Sequence, residues 1–155
     1  MSTYPASRID DPFYLEQIGE GASRTARILL AEDDREMRSL LAWALVEEGY
    51  DVVETGSGFE LMDYLESRLL DARMGGRLLD VDLVLSDQRM PGCSGMDILA
   101  CLRRYDRVTP FILITAFGDP LMHAQARELG ASLVIDKPFD FDEVIALIRR
   151  ILPPR

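Results

Sequence analysis

The sequence predicts an α/β fold: a doubly wound parallel sheet of five strands in the order 2-1-3-4-5, flanked by five helices. Two observations lead there. Short apolar runs rich in Leu, Ile and Val alternate with longer stretches of helical spacing. Polar signals close four of those runs: Glu32-Asp33-Asp34, Asp87, Thr115 and Lys137. Strands alternating with helices build βαβ units, and right-handed crossovers place the carboxyl ends of the strands on one side of the sheet. In this order strands 1 and 3 are neighbours, and the crevice that such folds use for ligands lies above their ends. Asp33 and Asp87 are therefore expected to converge.

The strands are RILLA at residues 27–31, residues 51–55, DLVLS at 82–86, FILI at 111–114 and SLVI at 132–135. Their shortness and β-branched content favour buried strands over helix segments. The first helix is marked by Met37, Leu40, Leu41, Ala44 and Leu45, which follow the i, i+3, i+4, i+7, i+8 rule for one buried face. Further helices are expected at residues 58–73, 95–105, 121–129 and 140–152, the last carrying Phe141, Val144, Ile145, Ile148 and Leu152 on one stripe. Trp43 falls just off the first stripe, which predicts partial burial. Residues 71–80, with Met74-Gly75-Gly76, read as a loop before the third strand. Residues 1–26 read as an N-terminal extension, either a flexible arm or a short helix docking on a partner or second copy, residues 27–152 as the domain, and 153–155 as a tail.

Composition agrees with one globular domain. The chain has 155 residues, 48% hydrophobic and 28% charged, a size that buries about 68 to 70% of the unfolded surface. A formal net charge of −10 argues against direct nucleic-acid or anionic-membrane binding, which needs clustered Lys and Arg. No run approaches a membrane span and the N-terminus lacks the apolar core of a signal peptide, so a cytoplasmic location is expected. Cys93 and Cys101 read as small packing residues in a reducing compartment. His123 has no neighbouring Cys or His to complete a metal set and reads as a surface or packing residue.

Gathered at one sheet edge, two or three carboxylates repel by about 4 kcal/mol per pair at an effective dielectric near 20. A divalent cation that prefers oxygen ligands offsets this, and Mg²⁺ is often held by one or two carboxylates together with phosphate oxygens. Such a site attracts a phosphoryl group, toward which a carboxylate can act as nucleophile. Lys137 offers a compact charge and Thr115 a hydroxyl donor, both suited to phosphoryl oxygens.

With these groups in this order the chain resembles a response-regulator receiver domain of two-component signalling. The resemblance is carried by ILLAEDD (28–34), DLVLSDQRMPGCSGMDIL (82–99), ILITA (112–116) and IDKPF (135–139). It implies a CheY-like, flavodoxin-like fold in which Asp87 is the phosphoacceptor and Asp33 and Asp87 bind Mg²⁺ directly. Glu32 would bind the metal through water, and the backbone carbonyl of Arg89 would complete the protein ligands. Thr115 would be the switch hydroxyl and Lys137 the amine that contacts the phosphoryl group. Asp34 reads as a helix N-terminal residue, favoured by the macrodipole. The Lys137–Pro138 bond would be cis, against about 5 to 6% of X–Pro bonds generally.

The resemblance also implies its partners: a sensor histidine kinase or histidine phosphotransfer protein as donor, and a downstream protein or a second copy as target. It implies self-catalysed phosphoryl transfer and autodephosphorylation in a signalling domain, not a metabolic enzyme. The chain ends at Pro153-Pro154-Arg155, compatible with a stand-alone receiver or with a receiver belonging to a longer regulator.

Several positions depart from the family pattern. Val134 occupies the place, three before the lysine, where the family commonly carries Tyr or Phe, so the usual coupling of threonine to an aromatic is in question. Phe117, two after Thr115, is the substitute the sequence offers. Arg89 is long and cationic, able to fold over the pocket toward Glu32, while Ala116 should leave the pocket open. The stretch between Glu32 and Asp87 is longer than usual, with the excess in the 71–80 loop.

Three other classes compete. A haloacid-dehalogenase-type phosphatase wants its nucleophile in an Asp-x-Asp pair after strand 1, and Asp33-Asp34-Arg35-Glu36 lacks that spacing. A flavin module wants a small-residue phosphate loop there, and an acidic cluster would repel the phosphate. The nearer alternative is a degenerate receiver acting as a phosphorylation-independent interaction module.

Overall fold

The structure, a computed structural model, describes residues 24–73, 80–116 and 118–155, with the side chains of 71–73 excepted. The N-terminal extension up to Ser23, most of the expected 71–80 loop, and Phe117 lie outside the described residues.

Among the described residues five strands and five helices alternate: β1 Arg27–Ala31, α1 Arg35–Glu47, β2 Asp51–Thr55, α2 Gly58–Arg73, β3 Leu83–Asp87, α3 Gly95–Arg103, β4 Phe111–Thr115, α4 Pro120–Leu129, β5 Leu133–Asp136 and α5 Phe141–Ile151. All strands are parallel and their order is β2-β1-β3-β4-β5. Three strands run one residue later than expected, so that Asp87, Thr115 and Asp136 belong to the strands they close. Asp82, expected to open β3, instead precedes it. Its carboxylate accepts from the Arg27 amide at 2.8 Å and from Arg24 at 2.7 Å.

Alternation along each strand feeds two apolar layers. Ile28, Leu30, Leu83, Leu85, Ile112 and Ile114 face α1 and α5, while Leu29, Val84, Phe111 and Leu113 face α2, α3 and α4. Every residue of β3 and β4 is buried, as expected for central strands of a sheet covered on both faces. Each fully buried Leu or Ile contributes about 1.5–3 kcal/mol.

The helix ends follow local chemistry. Asp34, Ser94, Asp119 and Asp140 cap α1, α3, α4 and α5, each side chain accepting a backbone N–H of the first turn. Ser94 and Asp97 complete a reciprocal capping box.

The stripe expected on α1 is corrected in one respect. Leu41 and Leu45 are buried, but Ala42 joins them and Leu40 is 47% exposed. Trp43, expected to be partly buried, is 66% exposed. α1 packs against β2 and α5, and Leu40 and Trp43 stand on the rim of the shallow α1–α5 groove with Phe141 and Ile145. Periodicity locates a buried stripe but not how far a neighbouring helix extends across it.

Asp106, in the turn between α3 and β4, is buried. It accepts from the Val108 and Thr109 amides at 2.8 and 2.9 Å and from the Thr109 hydroxyl at 2.6 Å. Burial opposes its charge, yet these hydrogen bonds and Arg103 outweigh it and hold the carboxyl below its ordinary value. Its stabilisation is therefore complete above the unfolded-state pKa and is lost as pH falls through the lower folded value. Asp106→Ala is expected to cost about 1–3 kcal/mol at neutral pH, with the loss shrinking in acid. Urea denaturation of both proteins across the acid range measures this, and a pH-independent difference would assign the effect to packing alone.

Candidate functional site

The acids are delivered by strand ends. Beyond Ala31 the backbone stays extended for one more residue, the Glu32 amide donating to the Thr55 carbonyl at 3.2 Å. This turns the Glu32 side chain inward, where it is 1% exposed. Asp33 is exposed in the bend that follows, and Asp34 turns away to cap α1 through the Met37 amide at 2.8 Å. Asp87 closes β3 and is 5% exposed; Thr115 closes β4 and is buried. Lys137 follows β5, its amide donating to the Thr115 carbonyl at 2.7 Å, and the Lys137–Pro138 bond is cis. Glu32, Asp33, Asp87, Thr115 and Lys137 thus lie at the carboxyl edge of the sheet, around the β1/β3 switch point.

One carboxylate oxygen from each of Glu32, Asp33 and Asp87 lies within 4.8 Å of the others. The Lys137 ammonium reaches Glu32 Oε2 at 3.1 Å and Asp87 Oδ1 at 3.2 Å. Glu32 Oε1 also accepts from the Asp34 amide at 3.1 Å. Burial is the largest influence on both inner acids and pushes the Glu32 and Asp87 carboxyls up, the mutual repulsion of the acids adding to it; Lys137 counters only part of this. Burial also works against the Lys137 charge, but Glu32 and Asp87 prevail and its value is raised. Three carboxylates against one ammonium leave an excess of two negative charges. An all-oxygen set with that excess fits a hard divalent cation.

Supporting contacts fix Asp87. Gln88 donates its amide to the Ile114 carbonyl at 2.8 Å and its own carbonyl accepts from Gly95 at 3.0 Å, while its side-chain oxygen accepts from the Met96 amide at 2.9 Å. At Gly95 a Cβ would stand 2.6 Å from both the Asp87 carbonyl oxygen and Leu113 Cδ1, so only glycine lets α3 start this close to the acid. On the other side Arg38 donates to the Glu32 carbonyl at 2.8 Å and pairs with Glu54 at 3.7 Å.

Gln88, Gly95 and Arg38 were not among the expected site residues. Gln88 adjoins Asp87, a usable signal, whereas Arg38, on α1 with its side chain 21% exposed, carries no sequence mark. The remaining expected positions are spread out. Arg89 is exposed in the turn after β3. Ala116 lines an open recess with Met37, Lys137, Pro138 and Phe139. Val134 sits mid-β5, partly buried against the α2–α4 layer. The Thr115 hydroxyl donates to the Met122 sulfur at 3.6 Å.

A doubly wound sheet whose switch point holds three acids and one amine defines a CheY-like domain. The chain belongs to the response regulator receiver domain family, whose model matches residues 28–149. It is 38% identical over 126 residues to the transcriptional regulatory protein CpxR of Escherichia coli, an alignment covering 81% of this chain and 49% of CpxR. It is 31% identical to sporulation initiation phosphotransferase F of Bacillus subtilis, covering 82% of this chain and 94% of that one. The chain thus spans about half the length of CpxR. Among solved structures, the non-phosphorylated HemR receiver domain of Leptospira biflexa superimposes with a TM-score of 0.67 at 27% identity, covering 83% of this chain and 94% of that chain. Chemotaxis protein CheY4 of Vibrio cholerae has the same fold, with a TM-score of 0.67 at 23% identity over 82% of this chain and 98% of that one. Among the described residues no helix is long and apolar enough to cross a membrane.

Acids crowded against burial work against the fold. Without divalent cations, Asp87→Asn is expected to stabilise the protein by about 0.5–2 kcal/mol at neutral pH, read from urea denaturation. The gain should shrink on acidification. The wild-type carboxyl, raised in the folded state, takes up its proton there first and regains stability as pH falls through that value. Unchanged or lower stability at neutral pH would mean that Lys137 already neutralises the conflict.

Proposed function

We propose that this receiver accepts a phosphoryl group on Asp87 from a histidine kinase or a histidine phosphotransfer protein. The observation that carries the reading is the Lys137 ammonium lying 3.1 and 3.2 Å from Glu32 and Asp87, with a third carboxylate alongside. In the transfer, a carboxylate oxygen of Asp87 attacks phosphorus, the P–O bond forms as the P–N bond to the donor imidazole breaks, and the imidazole leaves with the electron pair. Later attack by water cleaves the acyl phosphate, restoring Asp87 and releasing inorganic phosphate. Lys137, already against Asp87, keeps its charge beside the arriving phosphoryl oxygens, and Thr115 supplies a hydroxyl donor.

Mg²⁺ fits the donor set. Asp33 and Asp87 would hold it directly, Glu32 through water, and the Arg89 carbonyl would complete the protein ligands. When bound, it supplies positive charge to offset the carboxylates and the incoming phosphoryl oxygens. Arg38 and the Asp34 amide position Glu32, and Gln88 and Gly95 position Asp87. Residues 27–152 form the receiver unit in this reading. The added phosphoryl charge, about −1.5 to −2, shifts a pre-existing equilibrium. The surface that reads it out comprises α4, β5 and α5 and binds a downstream protein or a second copy.

Incubation with acetyl phosphate and Mg²⁺ followed by intact-mass measurement tests this. Wild type should gain one phosphoryl group, Asp87→Asn none, and Asp33→Ala less; chelation of the metal should abolish the gain. Labelling that persists in Asp87→Asn would overturn the site assignment, and an unlabelled wild type would favour the phosphorylation-independent interaction module.

A further inference from the structure

Val134 leaves β5 without the aromatic side chain through which the threonine's state would be relayed, yet Thr115 is not isolated. Its hydroxyl donates to Met122 Sδ at 3.6 Å, in the first turn of α4. The next residue, His123, donates through Nε2 to Asp136 Oδ1 at 2.9 Å, and Asp136 is the β5 residue that immediately precedes Lys137. Gly118 packs into the middle of this arrangement. A Cβ there would stand 2.8 Å from both Thr115 Cγ2 and His123 Nε2 and would overlap Asp136 Oδ1. One helical turn is therefore tied to the ends of both β4 and β5, beside the two groups that meet a phosphoryl oxygen.

The two ties differ in strength. A thioether is a weak acceptor, and a hydroxyl has a single proton to donate. If Thr115 turns that proton to a phosphoryl oxygen, Met122 loses it. A charged acceptor is the stronger partner, so the exchange is downhill. The His123–Asp136 bond is closed around a carboxylate and does not involve the Thr115 hydroxyl, so it persists as the hinge about which the turn relaxes.

We propose that the first turn of α4, through Met122 and His123, senses the phosphoryl state of this receiver in place of an aromatic on β5. Met122 is the partner that Thr115 releases, and His123 is a positioning residue that ties the turn to the strand carrying Lys137. The proposal rests on phosphoryl acceptance at Asp87.

Hydrogen–deuterium exchange of the whole chain, with and without acetyl phosphate and Mg²⁺, tests it, with intact mass read on the same samples. On phosphorylation, amides of the first α4 turn in wild type should exchange about twofold faster, the factor carried by a hydrogen bond at the low end of net strength, about 0.5 kcal/mol. Met122→Leu, similar in volume but without the acceptor, should show the faster exchange before phosphorylation, little further change after it, and an undiminished mass gain. His123→Ala should loosen the turn, and His123→Gln, which keeps a donor for Asp136, should restore it. A mass gain with unchanged exchange in the first α4 turn overturns this proposal and leaves phosphoryl acceptance intact. Equal behaviour of His123→Ala and His123→Gln removes His123 from it. Absence of any mass gain overturns the underlying reading, and this proposal with it.

Discussion

The pairing of the Lys137 ammonium with the Glu32 and Asp87 carboxylates is the contact around which the carboxyl edge of the sheet is organised. Two buried acids this close repel by about 4 kcal/mol at an effective dielectric near 20. Burial raises both carboxyls and works against the Lys137 charge, but the acids beside Lys137 outweigh it and hold its value above the ordinary one. Each charge is tolerated because of the others.

The cluster needs a rigid support, which the central strands provide. β3 and β4 are buried throughout, so Asp87 and Thr115 are carried by backbone with apolar packing on both faces. The opposite edge of the sheet is held by ion pairs of Arg24 and Arg27 with Asp82, Asp51 and Asp80. Tyr64 and Arg68 reach Asp80 from α2. At the strand ends, by contrast, α4 adds polar ties to its apolar packing, through Met122 to Thr115 and through His123 to Asp136.

Much of this was legible in the order of residues. The apolar runs and the polar residues after them located four strand ends, and the place of Asp34 at a helix N-terminus was also read there, although the bond by which it caps the helix came from the structure. What escaped did so for definable reasons. Leu40 and Trp43 fit a buried or half-buried pattern, but the width of the cover over α1 depends on where α5 crosses it. Arg38 supports Glu32 from α1, where nothing in the sequence distinguished it from the other helix arginines. Met122 carried no mark in the sequence, and its place beside Thr115 depends on how α4 packs against the end of β4.

By itself the sequence determined which segments become strands and helices, that the sheet is parallel and doubly wound, and which strand ends carry acids, hydroxyl and amine. Those are consequences of hydrophobic period, of capping chemistry and of crossover handedness, all local or topological. Only the tertiary structure decided which of these groups touch. Glu32 and Lys137 are 105 residues apart in the chain. Whether two such side chains stand at 3 or 8 Å is set by strand register, helix packing and the burial of each group, which no local pattern of residues contains.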